Sequence, residues 1–99
     1  MCAAPDQSVA LPAGTDLAKE TVLAGRVLSD GSPVGGAFVR LLDGTGEFTA
    51  EVVASASGDF RFFAAPGTWT LRALSRSGNG ETEVTAEGPG LHTTELPVA

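Results

Sequence analysis

Between Gly25 and Leu71 the chain alternates short runs of β-forming residues with glycine-containing turn signals, and this pattern limits the folds open to it. The signals are Asp30-Gly31, Gly35-Gly36, Ser57-Gly58-Asp59 and Pro66-Gly67. Glycine reaches positive φ angles without steric cost, and turns spaced about 8–12 residues apart are typical of β-sandwiches. The sequence therefore predicts an all-β fold, an antiparallel β-sandwich of about seven strands.

The first twenty residues differ from the rest of the chain. Residues 1–20 are rich in Ala, show no alternation and contain the breakers Pro5, Pro12 and Gly14. Termini of this kind are commonly irregular. We expect a flexible N-terminal arm over 1–20, with a helical turn after Asp16, and a sandwich domain over 21–99.

Alternation along the predicted strands divides the side chains between an inner and an outer face. The first strand is predicted over Thr21–Ser29, with Leu23 and Val27 on one face. The side chains predicted to fill the core are Leu23, Val27, Val39, Leu41, Val53, Phe60, Phe62, Trp69, Leu71, Ala73 and Leu96. The opposite parity turns outward Phe38, Leu42, Phe63, Leu74, Arg26, Arg40, Arg61 and Arg72.

The outward set contains the candidate interface residues. Arg40, Arg61 and Arg72, together with Phe38 and Phe63, would form an amphipathic, cationic surface able to dock a partner. The alternative is ordinary cross-strand pairing of these Arg side chains with acidic neighbours. The acidic residues considered for that pairing are Glu47, Glu51 and Glu83.

Charge and hydropathy narrow the classes of partner. The 99-residue chain has 12 acidic and 6 basic residues and a net charge of −6, which opposes binding to nucleic acid or to anionic membranes. No run approaches the roughly 20 apolar residues that a membrane span requires. The N-terminus also lacks the basic and apolar regions of a signal peptide. We expect a cytoplasmic protein.

The residue types needed for catalysis are scarce. The chain has one His and one Cys, and His92 lies in the predicted last strand without a Gly-x-Ser-x-Gly motif anywhere. A nucleophile–His–acid system and a zinc site each need more partners than this. We therefore predict no catalytic residues, no metal site, no cofactor and no enzymatic activity.

Cys2 directly follows the first residue and would be exposed on the predicted arm. A nearby α-ammonium group favours the thiolate, which is the nucleophilic form and accepts sulfane sulfur. The alternative is an incidental exposed thiol. Cys2 is thus a candidate sulfur acceptor.

The turn pattern resembles the carboxypeptidase regulatory-like and transthyretin-like sandwich group. The matching residues are Gly25-Arg26-Val27, Asp30-Gly31, Ala37-Phe38-Val39, Ser57-Gly58-Asp59-Phe60 and Pro66-Gly67-Thr68-Trp69-Thr70-Leu71. Over nearly the whole chain, the segments LPAGTDLAKET, GGAFVRLLD and EFTAEVVASASGDFRFFAAPGTWTLRALS look like the SseC-type actinobacterial family of unknown function. The first resemblance carries information about fold more than about function.

The second resemblance implies a partner. Members of the SseC-type family are associated with sulfur metabolism and with rhodanese-type thiosulfate sulfurtransferases, and no catalytic residues are established for them. It implies a non-enzymatic accessory module that docks on such a sulfurtransferase, with Cys2 as the sulfur acceptor. The alternative is a structural sandwich without sulfur chemistry, which would form a homodimer through an edge strand or an outward aromatic face.

Overall fold

The computed structural model describes residues 16–99, in which eight strands form two sheets. Their bounds are β1 Thr21–Ser29, β2 Ser32–Pro33, β3 Phe38–Leu42, β4 Phe48–Val53, β5 Asp59–Phe63, β6 Gly67–Ser75, β7 Gly78–Ala86 and β8 Gly90–Pro97. The predicted all-β sandwich is confirmed. The prediction lacked β2, because two residues paired with the end of β1 are too short to show alternation.

We call the two layers the β1 sheet and the β3 sheet. In the β1 sheet, β1 pairs antiparallel with β2 and β5, and parallel with β8. The β3 sheet has the order β4-β3-β6-β7 and is antiparallel throughout. The parallel β1–β8 pair was not predicted, because alternation specifies which face a residue occupies and not the direction of the neighbouring strand.

The core lies between the two sheets, and its members come mostly from the predicted inner parity. The buried cluster comprises Leu23, Val27, Ala37, Val39, Leu41, Ala54, Phe60, Phe62, Leu71, Ala73, Ala86, Leu96 and Val98. Phe60 and Phe62 meet at a ring-centroid distance of 6.3 Å. Trp69 is partly buried against this cluster and donates its indole N–H to the Ala65 carbonyl at 2.9 Å.

Two residues differ from their predicted positions: one faces the opposite side of its strand, and the other is more buried than expected. Val53 was expected in the core, but it pairs with Phe38 on the outer side, and Val52 packs against the core instead. Leu42 was expected to be exposed, but it is only 6% exposed. A β-bulge between Leu41 and Leu42 shifts the register of β4 at this point, and single-residue alternation cannot foresee such a shift.

The described chain begins with a turn. The backbone N–H of Glu20 donates to the carbonyl of Asp16 at 2.7 Å, and the Asp16 carboxylate accepts the N–H of Ala18 at 2.9 Å. The helical turn predicted after Asp16 is therefore present. The remainder of the predicted arm, residues 1–15 with Cys2, lies outside the described residues. In residues 16–99 no helix has the length and apolar character needed to cross a membrane.

Candidate docking face

The outer surface of the β3 sheet carries the densest group of predicted interface residues. Phe38, Arg40 and Leu42 on β3 lie opposite Leu74, Arg72 and Thr70 on β6. On the flanks, β4 and β7 add alternate residues to the same rows. We call this surface the β3 face, and its rows run across all four strands.

The middle row of the β3 face consists of two central bases flanked by two acids, in the order Glu51, Arg40, Arg72 and Glu81. Arg40 donates to Glu51 at 2.7 Å, and Arg72 donates to Glu81 at 2.8 Å. The two guanidinium groups are cross-strand neighbours, and each one is compensated by its own glutamate. The cross-strand pairing considered as the alternative thus holds for Arg40 and Arg72, with Glu81 as an acidic partner that the sequence analysis did not name.

Apolar side chains lie on both sides of this charged row. Phe38 and Val53 form a cross-strand pair and are 49% and 37% exposed. On the other side of the row, Phe48 is 62% exposed and pairs with the buried Leu42. Contiguous exposed apolar side chains, such as the Phe38–Val53 pair, mark docking sites, and aromatic residues are enriched there.

Phe63 and Arg61 lie on the outer surface of the other layer, the β1 sheet. Phe63 pairs with Val22 and Arg61 pairs with Ala24, and the side chains of each pair point to the same face of the sheet. Phe63 is 50% exposed. The structure therefore brings Phe38, Arg40 and Arg72 together and separates them from Arg61 and Phe63. The two aromatic residues of the predicted outward face belong to opposite faces of the sandwich.

The remaining chemically versatile residue, His92, lies on edge strand β8. Its Nε2 is 2.9 Å from the carbonyl oxygen of Gly88, which also accepts the hydroxyl of Thr21 at 3.2 Å. His92 thus takes part in the connection between β7 and β8. Within residues 16–99, no group of three or more His, Cys, Asp or Glu side chains is placed to hold a metal ion.

Arg76, which was not among the predicted site residues, lines a groove of about 690 Å³ at the end of the β3 face. Ser75 pairs with Gly78, so the turn between β6 and β7 consists of Arg76 and Ser77. Phe38 and Leu74 also line the groove. No sequence signal marks Arg76, because its relation to Phe38 depends on the pairing of β3 with β6.

The geometry defines a small β-sandwich domain with an exposed, partly aromatic sheet face. The chain belongs to the family described as "Protein of unknown function (DUF1416)", whose model matches residues 2–98. A similar fold also occurs in a protein of another family with low sequence identity. A DUF3823 family protein from Parabacteroides merdae ATCC 43184 has a similar fold, with a TM-score of 0.65 at 17% sequence identity. The match covers 82% of this chain and 46% of that protein.

Sequence relatives come from mycobacteria. Two uncharacterized proteins of Mycobacterium tuberculosis (strain ATCC 25618 / H37Rv), Rv0814c and Rv3118, are each 63% identical over 99 residues and cover 99% of both chains. An uncharacterized protein of Mycolicibacterium smegmatis is 67% identical over 90 residues, which is 90% of this chain and 100% of that one. These relatives fit the predicted actinobacterial, uncharacterized family and carry no name that states an activity.

Proposed function

We propose that this domain is a non-catalytic, cytoplasmic protein-binding module that docks through the β3 face. The observation that supports the proposal is the exposure of Phe38, Phe48 and Val53 on one sheet surface. Burial of such side chains stabilises a complex by about 25 cal/mol per Å² of apolar area, and aromatic residues dominate interface energetics. The paired charges of Arg40 and Arg72 would orient the partner more than strengthen its binding.

The proposed partner is a rhodanese-type thiosulfate sulfurtransferase, and this choice comes from the SseC-type sequence resemblance. In the reaction we propose, the Cys2 thiolate attacks the outer sulfur of the partner's cysteine persulfide. The bond between the two partner sulfurs breaks, the partner cysteine leaves as a thiolate, and Cys2 carries the persulfide. No external oxidant or reductant is needed, because one sulfur atom is exchanged between two thiols.

Docking is tested by comparing two variants of matched exposure on opposite faces. Phe38→Ser removes an aromatic side chain from the β3 face, and Phe63→Ser removes one of equal exposure from the β1 sheet. We expect Phe38→Ser to weaken binding to the purified sulfurtransferase by at least about tenfold, and Phe63→Ser to change it less than about twofold. Circular dichroism checks that both variants fold. Loss of binding in Phe63→Ser alone would move the docking surface to the β1 sheet, and full binding by both variants would contradict the proposal.

Sulfur transfer is tested separately by mass spectrometry. After mixing with the persulfidated sulfurtransferase, the wild type should gain the mass of one sulfur atom, and Cys2→Ser should not. An adduct that persists in Cys2→Ser would remove Cys2 from the reaction while leaving the docking proposal intact.

A structural role is the second candidate, and strand β4 favours it. Within the described residues β4 pairs with β3 alone, so its other edge presents unpaired backbone groups. Edge strands of this kind join sheets of two copies. Analytical ultracentrifugation distinguishes the two functions: a stable dimer that Val53→Pro dissociates would support the structural role, because the Val53 N–H points to the free edge of β4, and a monomer would contradict it.

A further inference from the structure

The groove at the end of the β3 face has two walls contributed by turns. Residues 34–36 precede β3 on one side, and residues 75–77 connect β6 to β7 on the other. Phe38 and Leu74, which are cross-strand partners, line it between these turns. The groove is therefore concave and apolar in its middle, while the rest of the β3 face is a sheet surface.

Arg76, at one end of this groove, differs from three other arginines of the sandwich in its ion pairing. Arg26, Arg40 and Arg72 each form an ion pair with a carboxylate at 2.7–3.3 Å. Arg76 is exposed and forms no ion pair with any residue in 16–99. In a chain with a net charge of −6, a guanidinium group that forms no ion pair retains its capacity to bind a carboxylate in two parallel hydrogen bonds.

Both walls are held in place before any ligand arrives. The Ser75 hydroxyl donates to the Gly78 carbonyl at 2.7 Å and accepts the N–H of Ser77 at 3.2 Å. On the other side, the N–H of Gly36 donates to the Ala54 carbonyl at 3.1 Å. Binding to a rigid site loses less conformational entropy than binding to a mobile loop. The groove thus has a fixed shape, an apolar centre and one cationic end.

We propose that the groove binds an acidic peptide segment of a partner protein. An apolar side chain of the segment packs on Phe38 and Leu74, and a neighbouring carboxylate pairs with Arg76. The inference rests on the proposed protein-binding function and adds the chemistry of the segment recognised. A single cation suits one or two carboxylates, whereas a polyphosphate chain would be repelled by the net charge of −6.

The test uses a blocked synthetic peptide, acetyl-Ser-Leu-Asp-Leu-Ser-amide, and its Asn analogue, added to the ¹⁵N-labelled protein. We expect saturable amide shifts at Gly35, Gly36, Ser77 and Asn79, with a dissociation constant on the order of 1 mM or below. Replacing Asp by Asn in the peptide should weaken binding about tenfold, and Arg76→Gln should do the same. Arg72→Gln is the matched control, because Arg72 already pairs with Glu81, and it should change the affinity less than about twofold.

Three results would overturn the inference: no saturable shifts, equal binding of the Asn analogue, or shifts confined to the β4 edge. Shifts at the groove in the absence of peptide, appearing as the protein is concentrated, would assign the groove to a second copy of this chain and would also overturn it. The docking proposal fails independently, since it is measured by the effect of Phe38→Ser on sulfurtransferase binding. If Phe38→Ser weakens sulfurtransferase binding but the wild type does not bind the acidic peptide, the proposed function stands and only this inference is overturned.

Discussion

At the scale of single residues, Gly25 shows how closely β1 approaches its neighbours. A β-carbon built on Gly25 would overlap the backbone oxygen of Thr94 in β8 and lie 2.8 Å from Cζ of Phe60 in β5. A backbone oxygen in a paired strand cannot rotate away as a side chain can. Glycine is therefore required here by space, and the positive φ angles of turn glycines are not the reason.

Gly25→Ala should accordingly lower the free energy of unfolding by about 1–3 kcal/mol, the usual cost of forcing extra atoms into a packed interior. Gly44→Ala is the control, because a β-carbon at Gly44 would meet nothing closer than the Thr68 oxygen at 3.8 Å. It should change stability by no more than about 0.5 kcal/mol. Urea unfolding followed by Trp69 fluorescence measures both, and equal stabilities of the two variants would contradict the argument.

Asp43 is the residue whose ionisation should affect stability with pH. Its pKa lies below the ordinary value of 3.8, mainly because its carboxylate accepts the Thr45 hydroxyl at 2.6 Å, and further because it accepts the backbone N–H groups of Thr45 and Glu47. A lowered pKa in the folded state contributes stability that is complete above the pKa of the unfolded chain. That contribution is lost as the pH falls through the lowered folded value.

We therefore expect Asp43→Asn to reduce the part of the acid destabilisation that appears below about pH 4. Thr45→Val removes the largest cause, so the Asp43 pKa should rise toward 3.8 when its carboxyl resonance is titrated by NMR. An unchanged Asp43 pKa in Thr45→Val would show that the hydroxyl is not responsible.

At the scale of elements, β8 attaches to the sandwich through one of its two faces. Leu96 is fully buried in the core cluster, whereas Leu91, on the same strand, is 47% exposed. Leu96→Ala should lower the free energy of unfolding by about 2–5 kcal/mol. Leu91→Ala should cost under about 1 kcal/mol, because much of its side chain is already in contact with water. Thermal and urea unfolding of the two variants measure the difference, and similar losses would contradict the facing assigned to β8.

The strands also show which features of the fold could be predicted from the sequence and which could not. The bounds of β1 were predicted to the residue, because an alternating run ends at the Asp30-Gly31 turn, where Asp30 has a φ of 51°. Val53 was misplaced because the facing of β4 depends on its pairing with β3, and Leu42 lies beside the bulge between these strands; neither feature leaves a mark on composition. A local pattern predicts facing within a strand, while register between strands is a property of the assembled sheet.

For the candidate site too, the facing of residues within one strand was predictable, and the arrangement between strands was not. The outward positions of Phe38, Arg40 and Arg72 were predictable, because each alternates with a buried neighbour on its own strand. Their distance from Phe63 was not predictable, since strand order decides which outward residues share a face. The pairing of Arg40 with Glu51, on consecutive strands, was among the alternatives considered from the sequence, whereas the position of Arg76 in a groove depends on strands β3 and β6, which lie apart in sequence.

At the scale of the whole molecule, two electrostatic effects of opposite sign compete. The net charge of −6 on a body with a radius of gyration of 12.7 Å produces self-repulsion that opposes the compact state. The three ion pairs of Arg26, Arg40 and Arg72 act in the other direction, but their exposed side chains limit each pair to about 0–1 kcal/mol. Salt weakens both effects, so the salt dependence of stability reveals which one is larger.

We expect the repulsion to be larger, because it acts among all the unpaired carboxylates and the Debye length of about 30 Å at 0.01 M salt spans the molecule. Raising the salt to about 0.15 M shortens this length to about 8 Å and should stabilise the folded state by about 1 kcal/mol, or about 4–8 °C in Tm. Scanning fluorimetry on Trp69 at pH 7 measures the shift. Near the isoelectric point of about 4.5 the repulsion is absent and the shift should disappear or reverse. A Tm that falls with salt at pH 7 would instead show that the ion pairs of the sheet faces outweigh the net charge.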